Sequence, residues 1–248
     1  MRVIGIIPAR LKSTRLPEKA LIDIEGLPMI VHVYKRAALA GVLDDLMVAT
    51  DSPAIFKLIE RHGGKAVMTS AHHQTGTDRI AEAVEKIDVD IVVNIQGDEP
   101  LLISEHINQA VEPLLEDESI EVSALVTPYT KKNSSSDIKA VLDLHDFILY
   151  CSRNDLPSDA RVKEFIMWKM CFIVPMRKSF LMQYARWPLS PLEKIEYIEH
   201  LRILEHGHKI KAVRIEHADI SVDTYEDLEE VRRLMKKDKL YKQYTQSP

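Results

Sequence analysis

The sequence predicts an α/β fold built on a largely parallel sheet, and three observations carry that prediction. Short apolar runs rich in β-branched residues alternate with amphipathic stretches at short intervals, as βαβ units require. One run, Ile-Val-Val-Asn-Ile (91–95), reads as a strand buried on both faces. It ends in Gln-Gly-Asp-Glu-Pro (96–100), which delivers Asp98 to the carboxyl edge of the sheet, the rim where open α/β sheets bind ligands. Gly97 is expected to supply a sharp turn, and Pro100 to stop the ladder.

The elements follow in order. Residues 3–7 are a first apolar strand, followed by a loop with Arg10, Lys12, Arg15 and Lys19 and the hydroxyls of Ser13 and Thr14. Pro28 opens an amphipathic helix over 29–40, ended by Gly41. Residues 45–50 are a second strand, and Asp51 or Ser52 caps a helix over 53–62 that stops at Gly63-Gly64. A third strand (65–68) leads into a polar loop containing His72, His73, Gln74, Thr75, Gly76 and Arg79, then a helix over 80–87. Adjacent histidines in a loop rarely converge on one ion, so His72 and His73 are expected to be exposed or hydrogen-bonded. After the central strand, Ser104 is expected to cap a helix over 105–115. Residues 122–126 form a strand, and 140–144 with 147–151 flank a hairpin turn that places Arg153 near a strand end. The Met-rich stretch 165–180 reads as core or subunit interface. The spacing of Leu192, Ile195, Ile198, Leu201 and Leu204 predicts one helix over 192–206, with Glu193, Glu196 and Glu199 along a solvated edge. A late strand (210–215) precedes a brief one (220–222) that presents Asp223, and Thr224 with Asp227 forms a near capping box. Residues 236–242 read as a fraying basic end.

Composition narrows the function. At 248 residues the chain is the size of a single large domain. A net charge of −5 gives no nucleic-acid footprint. No apolar run approaches the roughly 20 residues of a membrane span, and the opening apolar stretch is too soon broken by Pro8 for a signal peptide. Cys151 and Cys171 belong to no metal-spaced cluster, so a reducing cytoplasm is the expected compartment.

Read alone, Asp98 and Asp223 serve equally well as turn and helix caps. Taken together, two strand-end carboxylates, a basic loop after the first strand and a Gly-Thr-Asp-Arg loop fit the binding of a nucleoside triphosphate with Mg²⁺. The basic loop lacks both the Walker A pattern and G-x-G-x-x-G, and no G-x-S-x-G nucleophile elbow is present.

The motifs Ile-Pro-Ala-Arg-Leu-Lys-Ser-Thr-Arg-Leu-Pro-Glu-Lys (7–19), Val-Ala-Thr-Asp (48–51), Gln-Thr-Gly-Thr-Asp-Arg (74–79) and Asn-Ile-Gln-Gly-Asp-Glu-Pro-Leu (94–101) occur in this order. Tyr-Cys-Ser-Arg (150–153), Ser-Pro-Leu-Glu-Lys-Ile-Glu (190–196) and Val-Asp-Thr-Tyr-Glu-Asp-Leu (222–228) follow. From residue 1 to about 235 the chain resembles the 3-deoxy-manno-octulosonate (Kdo) cytidylyltransferases, or CMP-Kdo synthetases, of lipopolysaccharide biosynthesis. The resemblance implies a nucleotide-diphosphosugar transferase-type, Rossmann-like mixed sheet. It also implies one nucleotidyltransferase domain over 1–248, in which a small β-rich portion, about 122–215, contributes to the sugar-acid site and a homodimer interface. The reaction implied is CTP plus a 3-deoxy-2-ulosonic acid giving the CMP-sugar and diphosphate. Pro8, Ala9, Arg10, Arg15 and Lys19 would hold the triphosphate, with Arg10 and Lys19 catalytic. Gln74, Thr75, Gly76 and Arg79 would surround cytidine, Asp98 and Asp223 would bind Mg²⁺, and Gln96, Arg153 and Glu196 would face the sugar acid.

The chain departs from the family pattern at Glu18 and Ala20, where Leu-Pro-Gly-Lys-Pro-Leu is usual. It departs again at Met170 and Val174, where a His-Leu-Gly-x-Tyr-type strand usually offers a histidine and a tyrosine to the sugar. An altered sugar pocket is therefore expected. A sugar-1-phosphate nucleotidyltransferase on the same fold, and a non-catalytic nucleotide-binding regulator, remain the alternatives.

Overall fold

Alternating burial along the first strand divides the molecule into layers. In the computed structural model, which describes residues 1–11, 16–162 and 164–246, β1 (Val3–Ala9) sends Ile4 and Ile6 to one core and Val3 and Ile7 to another. A 3₁₀ turn (Lys19–Leu21) and a small ribbon of β2 (Asp23–Ile24) with β3 (Leu27–Pro28) lead into α1 (Met29–Ala37). Then come β4 (Asp45–Thr50), α2 (Pro53–Arg61), β5 (Ala66–Met68), α3 (Gly76–Val84), β6 (Ile91–Asn94) and α4 (Ser104–Glu116). Strands β6, β1, β4 and β5 are mutually parallel, and the order β6-β1-β4-β5 puts the topological switch at β1.

The β-rich portion supplies β7 (Ser123–Tyr129), β8 (Lys139–Leu142), β9 (Ile148–Ser152), β10 (Met167–Cys171) and β11 (Val174–Arg177). After α5 (Lys178–Tyr184), α6 (Pro191–Glu196) and α7 (His200–Glu205) come β12 (Lys211–Arg214), α8 (Tyr225–Met235) and α9 (Lys239–Gln246). A second sheet runs β12-β7-β10-β8-β9, with β8 and β9 the expected hairpin. Strand β11 leaves it to run antiparallel to β6 on the edge of the first sheet, where Pro175 is tolerated. The fold is thus the mixed α/β sheet the sequence predicts.

Four local expectations are corrected. The stretch 192–206 is not one helix: Tyr197 sits in the left-handed region (φ 54, ψ 47) and separates α6 from α7. The break leaves Ile195 73% exposed while Ile198 is buried, and it lets Glu193 close a buried bidentate pair with Arg202 at 2.6 and 2.7 Å. Ser104 does not cap α4: the helix begins at Ser104 with no side-chain cap, and the Ile103 N–H before it donates to Asp219 Oδ1 at 3.0 Å. Residues 220–222 form no strand. The C-terminal end does not fray over 236–242, because α9 docks: His32, buried in α1, meets the Tyr244 hydroxyl at 2.6 Å, and Arg36 pairs with Asp238.

Candidate active site

The carboxyl ends of β1 and β6 and the start of α3 surround a cavity of 680 Å³. Glycine sets two of its walls by close approach. A Cβ on Gly97 would lie 3.2 Å from the Pro8 carbonyl oxygen and 3.1 Å from Ile30, so Gly97 lets the Asp98 turn press on the end of β1. This corrects the expected reason for Gly97, which has no positive φ. Gly76 packs similarly, 3.3 Å from Pro8 as judged at its Cβ position. Helix α3 starts at Gly76 rather than residue 80, because the Thr75 hydroxyl accepts the Asp78 N–H at 3.1 Å and caps it.

Asp98 and Asp223, 125 positions apart, meet at one ammonium. Lys19 Nζ lies 2.6 Å from Asp98 Oδ2 and 3.0 Å from Asp223 Oδ1. Two backbone devices fix the pair. The Val222 N–H donates to the Asp98 carbonyl at 2.9 Å, tying the two segments together. The capping box of α8 then holds Asp223 from below, with its N–H on Asp227 Oδ2 at 3.0 Å. The neighbouring Glu99 is buried, and burial, Asp219 and Asp98 push its carboxyl well above the usual range.

Pro8, Ala9, Arg10, Lys19, Gln74, Thr75, Gly76, Arg79, Asp98 and Asp223 line this cavity, so residues anticipated for the nucleotide and the metal share it, and Gln96, anticipated for the sugar acid, lines it too. Arg15 lies outside the described residues. Arg10 is exposed, whereas Arg79 is buried, with Nη1 on Thr69 Oγ1 at 2.6 Å and Nη2 3.5 Å from Asp51. Arg79 therefore braces the ends of β4 and β5 as it faces the cavity. His73 bonds Glu82, as a hydrogen-bonded histidine should.

A second cavity of 220 Å³ shares Gly76, Gln96 and Glu199 with the first. Arg153 lines it. Glu196, expected to face the sugar acid, is not among the residues lining either cavity. It accepts the Ser152 hydroxyl at 2.8 Å and the Arg153 N–H at 3.1 Å, and its own carbonyl accepts Arg153 Nε at 2.9 Å. Both its carboxylate and its carbonyl thus contact Arg153. Met170 is likewise displaced from expectation: it is fully buried in the core, and Val174 with Phe172 faces the cavity instead.

Sequence reasoning missed Glu199, which lies between the cavities and accepts the Thr77 hydroxyl; burial raises its carboxyl above the usual range. It also missed Lys139, a fully buried lysine below Arg153. The signal for Lys139 was a cation at the start of an apolar strand, which reads as a solvated strand end.

A topological-switch cleft, a paired carboxylate site and a basic lip define a nucleotidyltransferase-type α/β protein. The cytidylyltransferase family model matches residues 4–210. The chain is 41% identical to 3-deoxy-manno-octulosonate cytidylyltransferase of Geotalea uraniireducens, covering 96% of this chain and all of that one. It is 40% identical to the protein of the same name from Fusobacterium nucleatum, over 97% of this chain and 99% of that one. A solved CMP:2-keto-3-deoxy-manno-octonic acid synthetase complexed with CTP superposes with a TM-score of 0.92 at 34% identity, covering 96% of this chain and 99% of that chain. The chain belongs to the cytidylyltransferase family.

Proposed function

We propose that this enzyme transfers CMP from CTP to the anomeric hydroxyl of 3-deoxy-manno-octulosonate or a closely related 2-ulosonic acid. The observation that carries the reading is the meeting of Asp98, Asp223 and Lys19 in a cleft that shares Gly76, Gln96 and Glu199 with a second cavity lined by Arg153. The sugar oxygen forms a bond to the α-phosphorus, the bond to the β-phosphoryl oxygen breaks, and diphosphate leaves as the hydroxyl proton passes to solvent. Arg10 and Lys19 grip the triphosphate and stabilise charge on the departing diphosphate. Gln74, Thr75 and Gly76 border the base, and Arg79 keeps that wall rigid. Arg153, with its guanidinium oriented by Glu196, receives the sugar carboxylate.

Among the described residues no group of three or more His, Cys, Asp or Glu could hold a metal ion. Two carboxylates are nevertheless a donor set that fits Mg²⁺, which completes its shell with water and substrate phosphates. Asp98 and Asp223 are the residues that would hold it, and the ion would supply charge neutralisation at the α-phosphoryl group. We also propose a homodimer through the β-rich portion, supported by exposed Leu149, Val162 and Ile166 there. The reduced, buried Cys151 and Cys171 support a cytoplasmic setting.

The test is diphosphate release from each of the four nucleoside triphosphates with a panel of ulosonic acids and sugar 1-phosphates. The expected outcome is release with CTP and an ulosonic acid. Release with sugar 1-phosphates alone would favour the neighbouring enzyme class, and no release with any pair would favour a nucleotide-binding regulator.

A further inference from the structure

Three successive carbonyls of the β2–β3 ribbon are each held by a side chain from outside it. Arg232 of α8 donates to the Asp23 carbonyl, from Nη2 at 2.8 Å and from Nε at 3.3 Å. His32 Nε2 lies 2.7 Å from the Ile24 carbonyl, and the Tyr241 hydroxyl of α9 donates to the Glu25 carbonyl. Because a carbonyl only accepts, Nε2 is the donor, which leaves His32 Nδ1 to accept the Tyr244 hydroxyl at 2.6 Å. The two tyrosines of α9 thus hold the ribbon, one directly and one through His32. Glu25 sits in the left-handed region (φ 52), a conformation that persists in a non-glycine residue only where its surroundings over-determine it. The ribbon matters because Lys19 stands just before it. The flanks of Lys19 are pinned on both sides: Leu16 and Ile24 are fully buried in one small apolar core with Leu228, Val231 and Met235 of α8. Val222, next to Asp223, belongs to the same core. Arg36 ties in the Asp98 segment, pairing with Asp238 between α8 and α9 and donating to the Leu102 carbonyl at 3.3 Å.

We propose that Tyr241 and Tyr244 are positioning residues that fix Lys19 over the nucleotide cavity and so set how tightly the triphosphate is held. The inference goes beyond the reaction proposed above and rests on its placing of CTP in the first cavity. Neither tyrosine lines that cavity, so any effect on the nucleotide passes through the ribbon. Without the nucleotide, the Lys19 ammonium is held from its tip, 2.6 Å from Asp98 and 3.0 Å from Asp223. When triphosphate oxygens take the ammonium from those carboxylates, Lys19 keeps its place only through its backbone. That backbone is what the tyrosines act on. Loss of both hydroxyls leaves the ribbon its apolar anchors and the Arg232 contact, and frees the Glu25 turn. Lys19 then spends part of its time displaced, at a cost to the charge-assisted contact it makes with phosphate.

The experiment measures CTP binding by calorimetry to the wild-type enzyme, Tyr241→Phe/Tyr244→Phe, Lys19→Met and the three changes combined. Phenylalanine keeps both rings and removes only the hydroxyls. The tyrosine pair is expected to raise Kd for CTP roughly fivefold, the weight of about one hydrogen bond. Where Lys19 is already methionine, the same pair should raise it by less than about twofold, because residues acting through one another are not additive. In initial-rate diphosphate release the pair should raise KM for CTP and leave KM for the sugar acid within about twofold. Should the tyrosine pair fail to fold, Arg232→Gln decides. It removes the Asp23 contact from a side chain at the surface of α8, and is expected to raise Kd for CTP about threefold with the same dependence on Lys19. An unchanged Kd for CTP in the folded variant, or a loss of equal size with and without Lys19, overturns the inference. If wild-type enzyme binds no CTP, it is the underlying placing of the nucleotide that fails.

Discussion

Replacing Lys139 with methionine removes an ammonium that is fully buried and whose donors end on backbone carbonyls. Lys139 Nζ donates to the Ser134 carbonyl at 2.6 Å, the Asp137 carbonyl at 2.9 Å, and the Arg153 carbonyl. The same loop receives the Arg153 guanidinium, whose Nη1 lies 3.1 Å from the Ser135 carbonyl and 3.3 Å from that of Ser136. Lysine and arginine therefore clamp one loop from two sides, and loss of the lysine frees the arginine. Methionine fills the volume but leaves three carbonyls and the Asp155 carboxylate, 3.6 Å away, without their cation. Breaking a buried charged contact costs about 3–5 kcal/mol; relief from burying the ammonium puts the net near the lower figure, ~3 kcal/mol. At about 2–4 °C per kcal/mol for a chain of this size, Tm should fall by roughly 6–12 °C. KM for the sugar acid should rise roughly tenfold, the weight of one charge-assisted hydrogen bond. KM for CTP should stay within about twofold, since Lys139 lines neither cavity. Thermal unfolding and initial-rate diphosphate release read both effects. A variant with unchanged Tm and unchanged sugar KM would refute the clamp.

Two further outcomes follow from strained or buried groups. Glu18 occupies the left-handed region (φ 52, ψ 32) where the family usually has glycine. Glu18→Gly should relieve about 1 kcal/mol of strain, less roughly half of that for added unfolded-chain freedom, and lower KM for CTP by removing a negative charge next to Lys19. Glu18→Ala keeps the strain and removes the charge, so only the KM should move; a rise in Tm with Ala as large as with Gly would contradict the strain argument. His200 predicts an acid-sensitive fold. The unfolded chain takes up a proton below about 6.5 and the native state only below about 4, so stability falls as pH drops through that window, by at most ~3 kcal/mol. His200→Gln should flatten that part of the profile in urea titrations between pH 7 and 4; an unchanged slope would place the acid sensitivity elsewhere.

Strands β1, β4 and β6 were legible because buried parallel strands carry short β-branched runs, and 45–50 was read to the residue. The capping box at Thr224 was legible because it is a local pattern. What escaped depends on partners distant in sequence. Asp219 accepts the N–H of Ile103, at the start of α4, across 116 positions, and no reading around Ser104 could find it. The 192–206 helix failed because apolar spacing does not register one left-handed residue, and Tyr197 is not a residue that advertises it. The docked α9 had a signal, Tyr241 and Tyr244 three apart, that the surrounding lysines obscured. Within the site, Asp98 and Asp223 are each ordinary caps when read alone; reading both strand ends with the basic loop joined them before the geometry did. For Glu196 the structure adds bonds to Ser152 and Arg153 that the sequence did not show, because a carboxylate beside an arginine serves substrate and scaffold equally well in one dimension.

Diphosphate release by Asp98→Asn, Asp223→Asn and the double variant, with CTP, Mg²⁺ and 3-deoxy-manno-octulosonate, bears most directly on the paired-carboxylate site. Acting as one unit, the two carboxylates should each cost roughly 10³-fold in kcat/KM when neutralised, and the double variant should be worse than either by no more than about tenfold. Independent losses that multiply, or a single variant that keeps wild-type turnover, would contradict a shared site.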